Sequence, residues 1–104
     1  MAHPNRGEIW QVDLGLAAKV RPCLIVSIPY EEQDRSIVTV MAHTTSPRSS
    51  RFEVNVKASF LRPGVFDAQN ILTIPRAKPL RKLGTLTRLQ MADIEAAIRL
   101  WLGL

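Results

Sequence analysis

The feature that most constrains this fold is a change of hydrophobic period near the end of the chain. The first two-thirds contains five short segments rich in apolar and β-branched residues, separated by polar turns, at residues 7–13, 23–28, 36–42, 52–56 and 65–74. The last part follows a helical period instead, with Ile94, Ala97, Ile98 and Trp101 at i, i+3, i+4 and i+7. This order predicts a mainly β fold, in which about five strands close into a small curled sheet or barrel and one helix docks last.

The ends of the predicted helix carry recognisable capping residues. Thr87 and Gln90 form a capping-box pattern, in which each side chain can accept a hydrogen bond from the other residue's backbone N–H. Gly103 is a typical residue after a last helical turn. We therefore expect a helix from residue 88 to about residue 102, with Trp101 packed in the core as part of the apolar stripe.

Chain length and composition predict one soluble domain. A chain of 104 residues leaves no room for a second core, so residues 1–104 are expected to form a single domain. No apolar run approaches the ~18 residues that cross a bilayer, and the N-terminus lacks the apolar segment of a signal peptide. The single cysteine, Cys23, lies in an apolar run and is expected to be a buried structural thiol, which suits a cytoplasmic protein.

The balance of charge favours a polyanionic partner. Fourteen Lys and Arg against nine Asp and Glu give a formal charge of +5 at pH 7. Because many small domains are basic for other reasons, this balance alone supports nucleic-acid binding only modestly. The sequence has no glycine-rich phosphate loop, no His or Cys pairs at metal-ligand spacing and no nucleophile elbow, so no metal or cofactor is expected.

Three strand ends bring polar side chains to places where a small β scaffold can carry chemistry. They are Arg21 before the second strand, residues 43–46 after the third, and residues 67–70. If the second and third strands pair antiparallel, Arg21 and Thr44 lie at the same end of the sheet, and together they could hold a phosphodiester. Spacing alone leaves other readings open: Arg21 as an edge charge or ion pair, residues 44–46 as turn residues, and His43 as a packed side chain.

Two motifs resemble the opening of the MazF/PemK-type toxins of toxin–antitoxin systems. They are RGEIWQVDL at residues 6–14 and RPCLIV at residues 21–26, in the same order as in that family. HTTS at 43–46, NILTI at 70–74 and LGTL at 83–86 are similar to further family segments, so the resemblance covers nearly the whole chain. It implies a small SH3-like barrel of antiparallel strands with a C-terminal helix, of the MazF/CcdB type, usually assembled as a homodimer.

The same resemblance implies a growth-inhibiting toxin that cuts single-stranded RNA at selected sequences without a metal ion. In the implied reaction the ribose 2′-OH attacks the adjacent phosphate, which leaves a 2′,3′-cyclic phosphate and a 5′-OH. A cognate antitoxin would inhibit the toxin by lying over the RNA groove, and the complex of the two would bind DNA.

The resemblance also implies roles for individual residues. Arg21 matches the family's catalytic arginine and is expected to stabilise the phosphorane charge or to act as an acid, and Thr44 matches a threonine that holds phosphate oxygens. The general base stays open, with His43 and Asp67 as candidates, because loop 15–20 is short and lacks the acid or histidine of many relatives. Asp67 and Gln69 stand where some relatives have an Arg and an Asp. Further RNA contacts are expected from Lys19, Thr45, Ser46, Arg48, Gln69, Arg76 and Lys78.

Two alternatives belong to other functional classes. CcdB-type toxins share the barrel but bind DNA gyrase through the end of the C-terminal helix, and residues 101–104 (WLGL) weakly resemble their Trp-Gly-Ile ending. The other alternative is a barrel that binds RNA without cutting it. The Arg21-Pro22 motif favours the nuclease.

Overall fold

The fold is a six-stranded antiparallel sheet followed by one helix. A computed structural model of the chain describes residues 3–16 and 19–104. In chain order the elements are β1 (Glu8–Asp13), β2 (Val20–Ile25), β3 (Ile37–Thr44), β4 (Glu53–Asn55), β5 (Val65–Pro75), β6 (Pro79–Thr85) and α1 (Arg88–Leu102). The strand order across the sheet is β4-β5-β3-β2-β1-β6, and every pairing is antiparallel. The predicted mainly β fold with a C-terminal helix is confirmed. No helix within the described residues is long and apolar enough to cross a membrane.

Two strands differ from the sequence expectation. β2 begins at Val20 instead of residue 23, so Arg21 lies within the strand, opposite Val12 of β1. β6 was not predicted, because the adjacent charges of Arg81 and Lys82 interrupt the apolar alternation of a strand. Charged side chains are common on such an edge strand, where they discourage pairing with another chain. The position of β6 beside β1 brings Arg81 opposite Gln11.

The central strands bury apolar side chains on both faces, as strand alternation requires. On one face Ile9, Leu24 and Met41 pack in a cluster with Ile94 and Ala97 of α1. On the other face, the curl of the sheet encloses a second cluster made of Trp10, Val12, Cys23, Ile25, Val38, Val40 and Ala42. Cys23 is fully buried, as predicted, and burial raises its pKa to about 12, so the thiol stays protonated.

The helix is capped as the sequence predicted. The Thr87 N–H donates to Gln90 Oε1 at 2.8 Å and the Gln90 N–H donates to Thr87 Oγ1 at 3.1 Å. Gly103 ends the helix in the left-handed conformation, with φ of 71°. The expectation that Trp101 is a core residue is wrong. Trp101 is 43% exposed, and its ring packs edge-on against Phe52 with 5.2 Å between the ring centroids.

Candidate active site

The Arg21 and Thr44 side chains meet at one end of the sheet. Strands β2 and β3 pair Ile25 with Val40, Leu24 with Met41 and Cys23 with Ala42. Two residues further along the same register, Arg21 is opposite Thr44, as expected for antiparallel neighbours. Both residues border two separate pockets, one on either side of this end of the sheet.

A bulge in β5 shapes the first of these pockets. The β3–β5 register changes between the Met41–Ile71 pair and the His43–Phe66 pair, so residues 67–70 bulge out opposite the single residue Ala42. The Asp67 Oδ1 accepts a hydrogen bond from the Gln69 N–H at 2.9 Å, which holds the bulge in shape. Bulges often re-aim side chains beside functional sites, and this one brings Asp67 and Gln69 to the pocket that Thr44 borders.

The first pocket contains charges of both signs, and we call it the mixed-charge pocket. It has a volume of about 540 Å³ and is bordered by Arg21, Arg48, Glu53, Asp67 and Trp101, with Thr44 and Ser46 at its rim. The Glu53 carboxylate accepts backbone N–H groups of Arg48 and Ser50, at 3.0–3.1 Å, and so organises the loop before β4. The Asp67 carboxylate also borders this pocket, with its Oδ1 bonded to the Gln69 N–H.

The second pocket contains only positive charge, and we call it the arginine pocket. It has a volume of about 410 Å³ and is bordered by Arg21, Arg62 and Arg81, with Phe60 and Leu83 as its apolar wall and Gln11, His43 and residues 44–46 completing it. No Asp or Glu of the described chain borders it. A pocket with three guanidinium groups and no carboxylate is suited to an anion.

His43 is packed and uncharged. The side chain is 4% exposed, and its ring lies edge-to-face against Phe66 with 5.0 Å between the ring centroids. Burial lowers the pKa of His43 below its usual 6.5, so the imidazole is neutral at pH 7. Its Nε2 and the Oε1 of Gln11 are buried polar atoms without a hydrogen-bond partner within the described chain. Each such atom costs about 1–3 kcal/mol until something bonds to it.

Thr44 is oriented by its own turn. The Ser46 N–H donates to Thr44 Oγ1 at 3.0 Å, so the hydroxyl proton of Thr44 remains available to a ligand. Among the described residues, no group of three or more His, Cys, Asp or Glu side chains is placed to hold a metal ion.

The structure brings together most, but not all, of the residues expected from the sequence. Arg48 and Gln69 border the mixed-charge pocket, Thr45 borders the arginine pocket, and Ser46 borders both. Lys19, Arg76 and Lys78 border neither: Lys19 closes the β1–β2 turn, Arg76 lies over the Trp10 ring and Lys78 Nζ is 4.0 Å from Asp13 Oδ2. In the same turn, Ala17 and Ala18 lie outside the described residues.

Sequence reasoning missed Gln11, Phe60, Arg62 and Arg81 as site residues. They come from β1, a loop and β6, and only the folded sheet brings them together. The one available signal was the alternation of β6, which places Arg81 and Leu83 on one face of the strand, but that strand had not been recognised.

Comparison with known proteins decides the family. Residues 5–102 match the family described as PemK-like, MazF-like toxin of type II toxin–antitoxin system. The chain belongs to this family. The assignment drawn from the two opening motifs is therefore confirmed, and with it the MazF type of fold.

Individual relatives agree along the whole chain. The sequence is 33% identical over 104 residues to "Endoribonuclease MazF4" of Mycobacterium tuberculosis and to "Endoribonuclease MazF1" of Mycobacterium bovis, covering 100% of this chain and 97% of each relative. The structure is similar to a solved "Endoribonuclease in complex with its cognate antitoxin from Mycobacterial species", with a TM-score of 0.83, 31% identity and coverage of 97% and 96%. A MazE–MazF structure from Deinococcus radiodurans has a TM-score of 0.83 at 17% identity, with coverage of 100% and 99%, and supports the fold alone.

Proposed function

We propose that this MazF-type toxin endoribonuclease cuts single-stranded RNA by internal transesterification at the end of the sheet that carries Arg21 and Thr44. The observation that carries the proposal is the β2–β3 register, which sets a guanidinium opposite a hydroxyl at a strand end bordered by two polar pockets. The products are a 2′,3′-cyclic phosphate and a 5′-OH, as the family resemblance implies.

Arg21 is assigned to charge stabilisation. The phosphorane formed by 2′-OH attack gathers negative charge on its non-bridging oxygens, and a guanidinium offers fixed donors to two of them. Arg21 lies in β2, two residues before the buried segment from Cys23 to Ile25, so its backbone does not need to rearrange when RNA binds. The Thr44 hydroxyl donates a further hydrogen bond to the same phosphate.

Asp67 is assigned as the general base. A base must reach the ribose 2′-OH within hydrogen-bond distance. The Asp67 side chain borders the mixed-charge pocket and is partly exposed there, whereas Nε2 of His43 is sealed from solvent. The carboxylate can therefore meet a ribose without a side-chain rearrangement. Arg21 then donates a hydrogen bond to the departing 5′ oxygen, and water supplies the proton that completes the 5′-OH.

The test is cleavage of a mixed-sequence RNA in EDTA, followed by mapping of the ends. We expect cyclic-phosphate and 5′-OH ends from the unmodified protein, and cleavage slower by about 10²–10³ with Arg21→Ala, as for loss of one oxyanion donor. Arg35→Ala, an exposed arginine outside both pockets, is the matched control. Intact RNA with a folded protein would contradict the proposal, and trapped gyrase–DNA complexes in its place would support the CcdB-type alternative.

The exposure of Trp101 is the observation that favours that alternative. A gyrase-binding helix end needs an accessible aromatic ring, and Trp101 is 43% exposed. The same ring also borders the mixed-charge pocket, next to Arg48 and Asn70. Because its exposed side faces the candidate nuclease site, we retain the nuclease as the proposed function.

We also propose that residues 1–104 act as one toxin domain that pairs with a second copy and with a cognate antitoxin. An apolar groove between α1 and the sheet is lined by Val26, Ile71, Ile98, Leu102 and Leu104, and its two terminal leucines are 56% and 78% exposed. A second copy would cover this surface. Light scattering should then give twice the chain mass of 11.7 kDa, and Leu102→Asp should give the monomer. DNA binding by the antitoxin complex stays a prediction.

A further inference from the structure

The arginine pocket contains more binding groups than cleavage at Arg21 and Thr44 requires. Arg81 is supplied by β6, Arg62 and Phe60 by the loop before β5, Gln11 by β1 and His43 by β3. Side chains from these four parts of the chain therefore converge on one cavity. Its volume of about 410 Å³ is in the lower part of the range for small-molecule sites, about 300–1,000 Å³. This size suits one nucleotide.

Two of the three arginines of this pocket, Arg62 and Arg81, carry charge that no ion pair of the described residues neutralises. Within residues 3–16 and 19–104, neither Arg62 nor Arg81 forms an ion pair, whereas Lys82, the next residue after Arg81, pairs with Glu8 at 3.0 Å. Two unpaired guanidinium groups facing one cavity repel each other until an anion lies between them. A phosphate group is the anion whose geometry a guanidinium matches best.

Phe60 adds an aromatic surface to the same pocket. Its ring lies directly on Gly84 of β6, where any Cβ would overlap the ring atoms. The absence of a side chain at Gly84 thus lets the ring pack on the sheet and holds it in place. Single-stranded nucleic acids bind proteins by stacking their bases on such rings while basic groups follow the backbone.

Two polar atoms of the pocket residues are unpartnered. Gln11 Oε1 and His43 Nε2 are buried without a hydrogen bond within the described chain. Both atoms are closed to solvent in the unbound protein, so a base edge reaches them only after the Gln11 and His43 side chains turn towards the pocket. The amino and imino groups on the edge of a nucleobase are then the complementary donors, and the neutral imidazole can accept one of them. The pocket therefore offers groups for phosphate, for a base face and for a base edge.

The position of the pocket relative to Arg21 fits the path of a strand of RNA. Along β2 and β3, Pro22 and His43 share the face of Leu24 and Met41, while Arg21 and Thr44 share the opposite face. Arg21, Thr44 and Ser46 nevertheless border both pockets. An RNA strand whose phosphate lies on Arg21 has one neighbouring nucleotide on the side of the arginine pocket.

We propose that the arginine pocket binds the nucleotide next to the scissile phosphate of the RNA, with its phosphate on Arg62 and Arg81, its base against Phe60 and its base edge at Gln11 and His43. The inference rests on the proposed ribonuclease function and adds a specificity site to it.

Binding of an RNA that cannot be cut tests the phosphate contact. The probe is a fluorescent mixed-sequence oligonucleotide in which fluorine replaces every 2′-OH. The double variant Arg62→Ala/Arg81→Ala should bind it about tenfold more weakly than Arg35→Ala/Arg88→Ala, which removes two exposed arginines outside both pockets. The slope of log affinity against log salt should fall by about 0.7, the value for one phosphate contact on a single strand. Thermal melts establish that each variant is folded.

The cleavage assay separates this inference from the proposed function. If the unmodified protein cuts RNA and Arg21→Ala cuts it about 10²–10³ more slowly, the nuclease proposal stands whatever the double variant does. The arginine pocket proposal requires the double variant to raise the KM for RNA with kcat retained. Affinity, salt slope and KM equal to those of the control variant would overturn it. A decaglutamate peptide whose binding is lost in the double variant, with RNA affinity unchanged, would assign the pocket to a protein partner and overturn it as well.

The contacts to the base are tested by the sequence of the cut sites. Deep sequencing of the ends produced from a random RNA pool should show a changed preference at one position for Gln11→Glu and a weakened one for Phe60→Leu. The other positions should keep their preference, because the mixed-charge pocket is untouched. Identical preference in the unmodified protein and in both variants would overturn the assignment of the base edge and the base face.

Discussion

The mixed-charge pocket and the arginine pocket share Arg21 and Thr44 but differ in what surrounds them. The first contains two arginines and two acids, and the second contains three arginines and no acid. Only the first offers a carboxylate that could remove a proton, whereas the second has Arg62 and Arg81, which form no ion pair among the described residues. In this small sheet, the groups suited to the reaction and the groups suited to binding RNA therefore lie in different pockets. Successive residues of one strand face opposite sides, so His43 and Thr44, although adjacent, are directed to different tasks.

The largest effect on the cleavage rate is expected from substitution of Arg21, which borders both pockets. Arg21→Lys should lower kcat by about 10² and Arg21→Ala by about 10³, because an ammonium group is a single point charge and cannot donate to two phosphate oxygens from one plane. Cleavage of a labelled RNA at saturating concentration measures this. A lysine variant as active as the unmodified protein would show that only the charge of Arg21 matters, and that its geometry does not.

Next in size is the effect of removing the carboxylate from the mixed-charge pocket. Asp67→Asn keeps the shape and the hydrogen bond to the Gln69 N–H but removes a base, so kcat should fall by about 10² with KM unchanged. Ala68→Gly, in the same bulge but at a residue that borders neither pocket, is the control for a disturbed backbone. If His43→Gln lowered kcat more than Asp67→Asn did, the general base would lie in the arginine pocket. The two pockets would then not have the separate roles in reaction and binding given above.

A smaller effect should follow from moving Phe60 without removing it. Gly84→Ala places a methyl group on the ring, and such overpacking typically costs about 1–3 kcal/mol of unfolding free energy. We also expect a several-fold higher KM, because the displaced ring narrows the arginine pocket. Urea denaturation and cleavage kinetics measure the two effects. In the Phe60→Ala background, Gly84→Ala should lower the free energy of unfolding much less. An unchanged loss would show that the added methyl group does not meet the Phe60 ring.

The smallest effect is expected on the pH dependence of stability, through the neutral imidazole of His43 in the arginine pocket. Burial lowers the pKa of His43 below 6.5, so the unfolded chain takes up the proton more readily than the folded one. Stability is therefore greatest above pH 6.5 and falls as the pH drops from there towards the lowered pKa of the folded state. Urea titrations at about pH 7.5 and about pH 5.5 measure the free energy of unfolding. Its loss between the two pH values should be larger in the unmodified protein than in His43→Phe. Equal losses would mean that another group causes the dependence.

The parts of the fold that depend on local pattern could be read from the sequence. Thr87, Gln90 and Gly103 act within a few residues, so the capping box and the helix end were predictable. The meeting of Arg21 with Thr44 followed from a single assumption, that strands joined by a short polar turn pair antiparallel. The exposure of Trp101 could not be read in the same way, because the helical period says which side of a helix is apolar and not which of its residues another element covers.

The parts that depend on pairing between distant strands could not be predicted. The bulge at residues 67–70 is defined by the register against β3, and nothing in its composition marks it. Arg81 enters the site only because β6 pairs with β1, some 70 residues earlier in the chain. Arg62 and Phe60 lie in a loop before β5, and Phe60 packs on Gly84 of the distant strand β6. The charge difference between the two pockets is therefore a property of the folded sheet.

The division between reaction and binding is tested most directly by single-turnover cleavage at increasing enzyme concentration. The RNA is of mixed sequence and the buffer contains EDTA. Asp67→Asn should lower the maximum rate and leave the half-saturating enzyme concentration unchanged. Arg62→Ala/Arg81→Ala should raise the half-saturating concentration about tenfold and leave the maximum rate unchanged, with Arg35→Ala/Arg88→Ala like the unmodified protein in both. If the two site variants changed the same parameter by the same factor, the two pockets would not have separate functions.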